Sequence, residues 1–202
     1  MGSIPVKVES FQPAGISSLS YTGQGNDVDV QGDFVYIAAG TEGLLIVDAS
    51  DKANPSVVKT VATSGNAVDV KVVGNIAYVA VSGSGLDIIN IAQIESASLV
   101  TNFATSGTAV DLSVQNGHVF VANGVGGFEI VNVDDPAAPY SVSKLENLGN
   151  LIGVDAQNDR AVVVNSNAMM VIDISDYSSP VRLGSINIGN MLMSPVTPVV
   201  TR

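Results

Sequence analysis

Gly65-Asn66-Ala67-Val68-Asp69-Val70-Lys71-Val72-Val73-Gly74-Asn75-Ile76-Ala77-Tyr78-Val79-Ala80-Val81 is the stretch whose reading decides the fold. From Ala67 to Val73, Val68, Val70 and Val72 alternate with Asp69 and Lys71, the period of two that marks a half-buried strand. Gly74-Asn75 is a tight hairpin signal. Ile76 to Val81 is almost wholly apolar, as a strand covered on both faces must be. Beyond it a Gly/Ser loop, Gly83-Ser84-Gly85, leads to a third strand at Leu86–Ile91, and a mixed outer strand follows around Leu99–Phe103.

The same unit recurs on either side. Gly23, Gly65, Gly107 and Gly149 stand 42 residues apart. Gly-Asp-Phe-Val-Tyr-Ile (32–37) and Asn-Gly-His-Val-Phe-Val (116–121) repeat the Gly-Asn-Ile-Ala-Tyr-Val hairpin of 74–79, and apolar runs follow at Gly43–Asp48, Gly127–Asn132 and Ala168–Asp173. A period of this size built from short strands predicts a propeller or related repeat array. Twenty Gly, eight Pro and no sustained 3.6-residue period disfavour helices. The reading is therefore all-β: a β-propeller of four-stranded antiparallel blades, with the first strand of each blade innermost. The repeats are 23–64, 65–106, 107–148 and 149–188 of one domain spanning 1–202. A fifth, closing blade is expected from 1–22 together with 189–202. Pro13–Gly23 aligns with Pro55–Gly65, Ser3–Val6 falls at a third strand, Gly189-Asn190 matches Gly65-Asn66, and 191–197 falls at a first strand. Such a clasp would remove exposed sheet edges, although Pro195 and Pro198 cannot donate to a ladder. A fragment of a longer propeller, or an array closed by a second chain, are the alternatives.

Leu45-Ile46-Val47-Asp48, followed by Ala49-Ser50-Asp51 and Asn54-Pro55, resembles the LVIVD-repeat family, with echoes at Ile88-Ile89-Asn90-Ile91, Ile130-Val131-Asn132-Val133-Asp134-Asp135-Pro136 and Val171-Ile172-Asp173-Ile174-Ser175-Asp176. The resemblance covers residues 23–188. It implies a propeller of the kind found in bacterial and archaeal proteins, often exported or surface-attached, and carries no general activity. The second copy departs from it, with Ala92-Gln93-Ile94-Glu95 in place of a Ser-Asp-Pro turn, and the fourth has lost a residue between its second and third strands.

Composition narrows the function classes. Nineteen acidic residues against eight basic ones give a formal charge of −11. This argues against nucleic acid and anionic membranes as partners and favours cations or a basic protein. With no Cys there is neither disulfide nor thiolate site. No apolar run approaches the roughly 18 residues that span a bilayer, and the N-terminal residues lack the pattern of a signal peptide.

Candidate sites follow the register. Asp27, Asp69 and Asp111 occupy the same position of the innermost strand, with Asp29 and Asp155 two residues later. They could ring one mouth of a central channel as a ligand site, with Gly153 breaking the ring in the fourth copy. The turn residues Asp48/Asp51, Asn132/Asp135 and Asp173/Asp176 could hold Ca²⁺, but short Asp and Asn side chains more often cap their own turn. His118 is the single histidine, too few for a His-rich zinc site. Gly83-Ser84-Gly85 and Gly124-Val125-Gly126-Gly127 join strands rather than opening helices, so they read as turns. No catalytic residue and no cofactor is expected, Ca²⁺ aside. The leading expectation is a non-enzymatic protein-interaction or scaffold module, extracellular or on the cell surface, acting as a monomer or weak oligomer. The alternatives are a propeller binding a small molecule, glycan or Ca²⁺ at the acidic mouth, and, with less support, a glycoside hydrolase, which would need paired carboxylates and long loops.

Overall fold

Every strand expected in the 65–106 repeat is present, and each of the other three repeats contains the same four. The computed structural model describes residues 18–21 and 23–189; the expected closing blade falls almost entirely outside them. Sheet 1 contains β1 (Asp27–Gln31), β2 (Phe34–Ala38), β3 (Leu44–Asp48) and β4 (Ser56–Val61). Sheet 2 contains β5 (Asn66–Val73), β6 (Ile76–Ser82), β7 (Gly85–Asn90) and β8 (Ser98–Phe103). Sheet 3 contains β9 (Asp111–Gln115), β10 (His118–Ala122), β11 (Phe128–Asn132) and β12 (Tyr140–Leu145). Sheet 4 contains β13 (Leu151–Gln157), β14 (Arg160–Asn165), β15 (Ala168–Asp173) and β16 (Val181–Asn187). Each sheet is an antiparallel meander whose strands follow chain order.

The hairpin chemistry explains the first turn of each repeat. Gly32, Gly74, Asn116 and Asn158 all take positive φ, between 49° and 63°, the left-handed conformation that Gly and Asn adopt most readily. All four sheets carry a bulge between their third and fourth strands, after Ile46, Ile88, Ile130 and Val171. The fourth repeat is shortened where the sequence indicates: Val164 pairs with Met169, whereas Ala80 pairs with Leu86. Among the described residues, two short 3-10 turns interrupt the all-β pattern. Ile94–Ser96 replaces the missing Ser-Asp-Pro turn, and Gly124–Gly126 forms the glycine-rich loop of the third repeat.

Three apolar clusters lie between successive sheets. Tyr36, Ala38, Leu44 and Ile46 of sheet 1 pack on Val70, Ala77 and Val79 of sheet 2. Tyr78, Leu86 and Ile88 pack on Leu112, Val119 and Val121 of sheet 3. Phe120, Phe128 and Ile130 pack on Val154, Val163 and Ile172 of sheet 4. Tyr36, Tyr78 and Phe120 are thus core residues at one register. Sheets 1 to 3 each have a trailing face that covers the next sheet's leading face, and the first strands of successive sheets lie side by side. The outermost strand β16 is exposed along its whole length.

Candidate interaction site at the inner strand edges

A first strand is the inner edge of its sheet. Alternate backbone N–H groups there point away from the sheet, and an edge left in that state is an energetic and aggregation liability. The chain meets this with side chains from the preceding sheet. Val70 N–H donates to Asp27 Oδ2 at 3.1 Å, and Val72 N–H to Asp29 Oδ2 at 2.6 Å. Gln31 then clamps Gly74 twice: Gly74 N–H donates to Oε1 at 3.0 Å, and the Gln31 amide donates to the Gly74 carbonyl at 2.7 Å. Between sheets 3 and 4 the pattern recurs. Val154 N–H donates to Asp111 Oδ2 at 2.6 Å, Ala156 N–H to Ser113 Oγ at 3.0 Å, and Gln115 clamps Asn158 at 2.9 Å in both directions. Every partner in these ladders lies 43 residues along the chain.

Between sheets 2 and 3 the ladder has one rung among the described residues, Leu112 N–H to Asp69 Oδ2 at 2.6 Å. Lys71 occupies the register of Asp29, and an ammonium cannot accept an N–H. It turns back instead to Asp69 Oδ1 at 2.9 Å and Asp27 Oδ2 at 3.3 Å. Val73, at the register of Gln31, is 53% exposed.

The five carboxylates singled out as a channel mouth therefore have individual settings. Asp27, Asp29, Asp69 and Asp111 each hold an N–H of the next sheet. Asp155 is exposed and accepts from Ser113 Oγ at 3.4 Å. The alternation in β5 does not send Asp69 to solvent: the residue is 3% exposed, because the polar side of this strand faces the neighbouring sheet. That burial pushes its carboxyl up to about 8, assisted by a hydrogen bond with Asp27 and opposed by Lys71. Burial also works against ionised Asp27, but the Asp69 hydrogen bond, the Val70 N–H and Lys71 outweigh it and hold Asp27 below its usual value.

Two buried carboxylates escaped the sequence reading. Asp87 and Glu129 stand at one register of the third strand and are completely buried. Asp87 accepts from Ser64 N–H at 2.7 Å, Ser64 Oγ at 2.8 Å and Asn102 Nδ2 at 2.7 Å. Glu129 accepts from Ser106 N–H at 2.7 Å, Ser106 Oγ at 2.6 Å, Ser141 Oγ at 2.7 Å and Asn123 Nδ2 at 3.0 Å. Burial opposes its charge, but Ser106, Ser141 and Lys144 prevail and hold it below the ordinary glutamate value. Both anchor the connector that enters their sheet. The available signal was an acid inside an apolar run, 23 residues after a Ser in each case.

The turn residues cap their own loops: Ser50 N–H donates to Asp48, Ala53 N–H to Asp51, Ala137 N–H to Asp135, and Ser178 N–H to Asp176, at 2.8–2.9 Å. His118 Nδ1 lies 2.8 Å from the Asn116 carbonyl, and its ring packs on Tyr177 at 4.5 Å. The described residues contain no group of three or more His, Asp or Glu placed to hold a metal ion, and no helix among them is long and apolar enough to cross a membrane.

Solved structures that share the fold include the following three. A functionally unknown protein from Desulfotomaculum acetoxidans aligns at a TM-score of 0.69 with 15% identity, over 82% of this chain and 56% of its own. The computationally designed Ika4 protein aligns at 0.63 with 8% identity, over 79% of this chain and 97% of its own. The designed Ika8 protein aligns at 0.62 with 10% identity, over 79% of this chain and 48% of its own. The chain thus spans about half the length of the D. acetoxidans and Ika8 chains. No curated protein matches it in a sequence comparison. The LVIVD repeat model matches residues 22–63, 64–105, 106–145 and 159–188, one segment in each four-stranded sheet, and the chain belongs to the LVIVD-repeat family.

Proposed function

We propose that the chain is a non-enzymatic interaction module, exported or displayed at a cell surface, that presents a rigid arc of sheets to a basic protein partner. The observation that carries this reading is the employment of the acidic residues. Four of the five carboxylates that could have formed a ligand site hold backbone N–H groups of a neighbouring sheet, and the turn carboxylates cap their own loops. What remains for recognition is the exposed turns and outer strands of the sheets. The formal charge of −11 favours a cationic partner.

The first test is a thermal melt of the whole chain in excess Ca²⁺ and then in EDTA. A ligand that binds only the folded state raises the midpoint by mass action, and the module reading expects coincident curves. A reversible rise of several degrees with Ca²⁺ would restore the acidic mouth as a binding site. The partner arm is cross-linking with mass spectrometry on proteins retained by the immobilised chain. Cross-links from partner lysines to the acidic turns support the module; no retained protein counts against it.

A further inference from the structure

We propose that residues 191–199, which lie outside the described residues, form the first strand of a fifth sheet seated on the trailing face of sheet 4. This is independent of the partner reading above: it concerns which segment covers an apolar face, not what the module recognises.

None of the residues that pair across that face is buried. Val162, Val164, Met169 and Val171 are half-buried, whereas their counterparts in sheets 1 to 3, from Tyr36 to Ile130, are 0% to 6% exposed. Ile152 and Ile186 beside them are 56% and 57% exposed. A hollow of about 430 Å³ lined by Asp155, Gln157 and Val162 opens there. The leading face of sheet 1 differs, with Leu45 and Val47 only 4% and 3% exposed. It offers no open complement to sheet 4 of a second copy, so the occupant is sought in the chain itself.

The exit from β16 is held at the β14–β15 loop, where the Ile188 and Gly189 N–H groups both donate to the Asn167 carbonyl, at 2.8 and 3.2 Å. In sheet 1 the corresponding loop receives the incoming first strand, Gly40 and Ala67 bonding in both directions. The register of such a strand can be counted. The pairs Leu44–Val61, Leu86–Phe103, Phe128–Leu145 and Met169–Ile186 occupy one position in the four sheets. Nine residues after Val61, Phe103 and Leu145 come Val70, Leu112 and Val154, whose N–H groups are held by Asp27, Asp69 and Asp111. Nine residues after Ile186 comes Pro195.

Sheet 4 has Gly153 at that carboxylate register, opposite Val164 as Asp27 is opposite Ala38. The one sheet without an acceptor there is followed by the one residue without an N–H. A proline at this position removes no ladder bond, because these N–H groups point away from their own sheet. The next rung is complete. Val72 and Ala156 donate to Asp29 and Ser113; their counterpart is Thr197, and Asp155 stands exposed at the acceptor register, opposite Val162. The apolar positions agree as well. Six residues after the reference position, Ala67, Ala109 and Leu151 are all 0% exposed, and Leu192 takes their place. Val68, Val110 and Ile152 are matched by Met193.

The chain contains no Cys, so an engineered pair reports without background. Asp155→Cys/Thr197→Cys in the full chain places two thiols in the relation of Asp29 to Val72. Asp155→Cys/Val196→Cys is the control, since a one-residue shift turns a strand side chain to the opposite face. Both are oxidised at low protein concentration and read by peptide mass mapping. We expect the 155–197 disulfide to close within one chain at least tenfold faster than the 155–196 disulfide. Equal rates, as a tail without fixed register would give, overturn the proposal. So does a disulfide between chains, or none in a variant whose far-UV circular dichroism matches the parent. Amide exchange on the chain without engineered Cys is the second readout: Thr197 N–H is expected to be protected and to exchange at least tenfold faster in Asp155→Ala. Fast exchange at Thr197 in the parent, or no change in the variant, overturns the proposal.

Discussion

The junctions on either side of sheet 2 are built differently. Where sheet 1 meets sheet 2, Asp27, Asp29 and Gln31 cap three successive edge positions, and Asn26 and Gly40 add bonds to Ala67. Where sheet 2 meets sheet 3, Lys71 and Val73 interrupt the ladder and leave the single Asp69 rung. The cluster there is nonetheless fully apolar, from Tyr78 and Ile88 to Leu112 and Val131. One repeat can thus be joined to the next by polar edge capping plus packing, or by packing with one buried carboxyl. The difference is set by two residues of the first strand.

Replacing Leu112 by Ala should be the most damaging change to the sparse junction, about 2–5 kcal/mol for a buried leucine whose neighbours cannot collapse fully. Urea unfolding measures it, and a loss no larger than that of Val28→Ala would mean packing does not hold this junction. Removing a rung from the full ladder should do less. Asp111→Ala leaves Val154 N–H buried without a partner, a loss of about 1–3 kcal/mol; an unchanged urea midpoint would show that the rung is dispensable.

The pH dependence separates the two junctions further. Asp69 holds its proton to about pH 8 in the fold against an ordinary value of 3.8. The folded state therefore binds more protons between those values, and stability falls as pH rises through the window. Glu129 is depressed, so its contribution is present above the ordinary glutamate value and is lost as pH falls below it. Asp69→Asn should flatten the slope between pH 5 and pH 9 while leaving the acid limb intact. An unaltered slope would show that Asp69 is not the group that titrates in this window.

The smallest effect is a gain. Val73→Gln restores the clamp, aimed at Asn116, which already has φ 49°. It should stabilise the chain by about 1 kcal/mol or less, the net value of a hydrogen bond in the fold. A destabilised variant would show that the sparse junction is spaced differently from its neighbours.

The architecture was legible because each repeat writes its strands in period-two alternation and its hairpin in residues suited to positive φ. Gly74 and Asn116 identify their turns without help from the rest of the chain. The inner carboxylates were found by register and assigned to solvent, because alternation shows which side of a strand is polar but not what faces it. Only the neighbouring sheet, 43 residues along, turns Asp111 from a channel residue into a cap on Val154. Asp87 and Glu129 were missed for a related reason. A lone acid in an apolar run looks like an interruption until the connector serine that it anchors is placed beside it.

Amide hydrogen exchange at the inner edges tests the account most directly. The N–H groups of Val70, Val72, Leu112, Val154 and Ala156 point away from their own sheets and are held only by side chains of the preceding one. The account predicts that all five are protected in the parent chain, and that Asp111→Ala speeds exchange at Val154 while Val70 and Leu112 stay protected. Fast exchange at these amides in the parent chain, or uniform loss across the five on removal of one carboxylate, would contradict it.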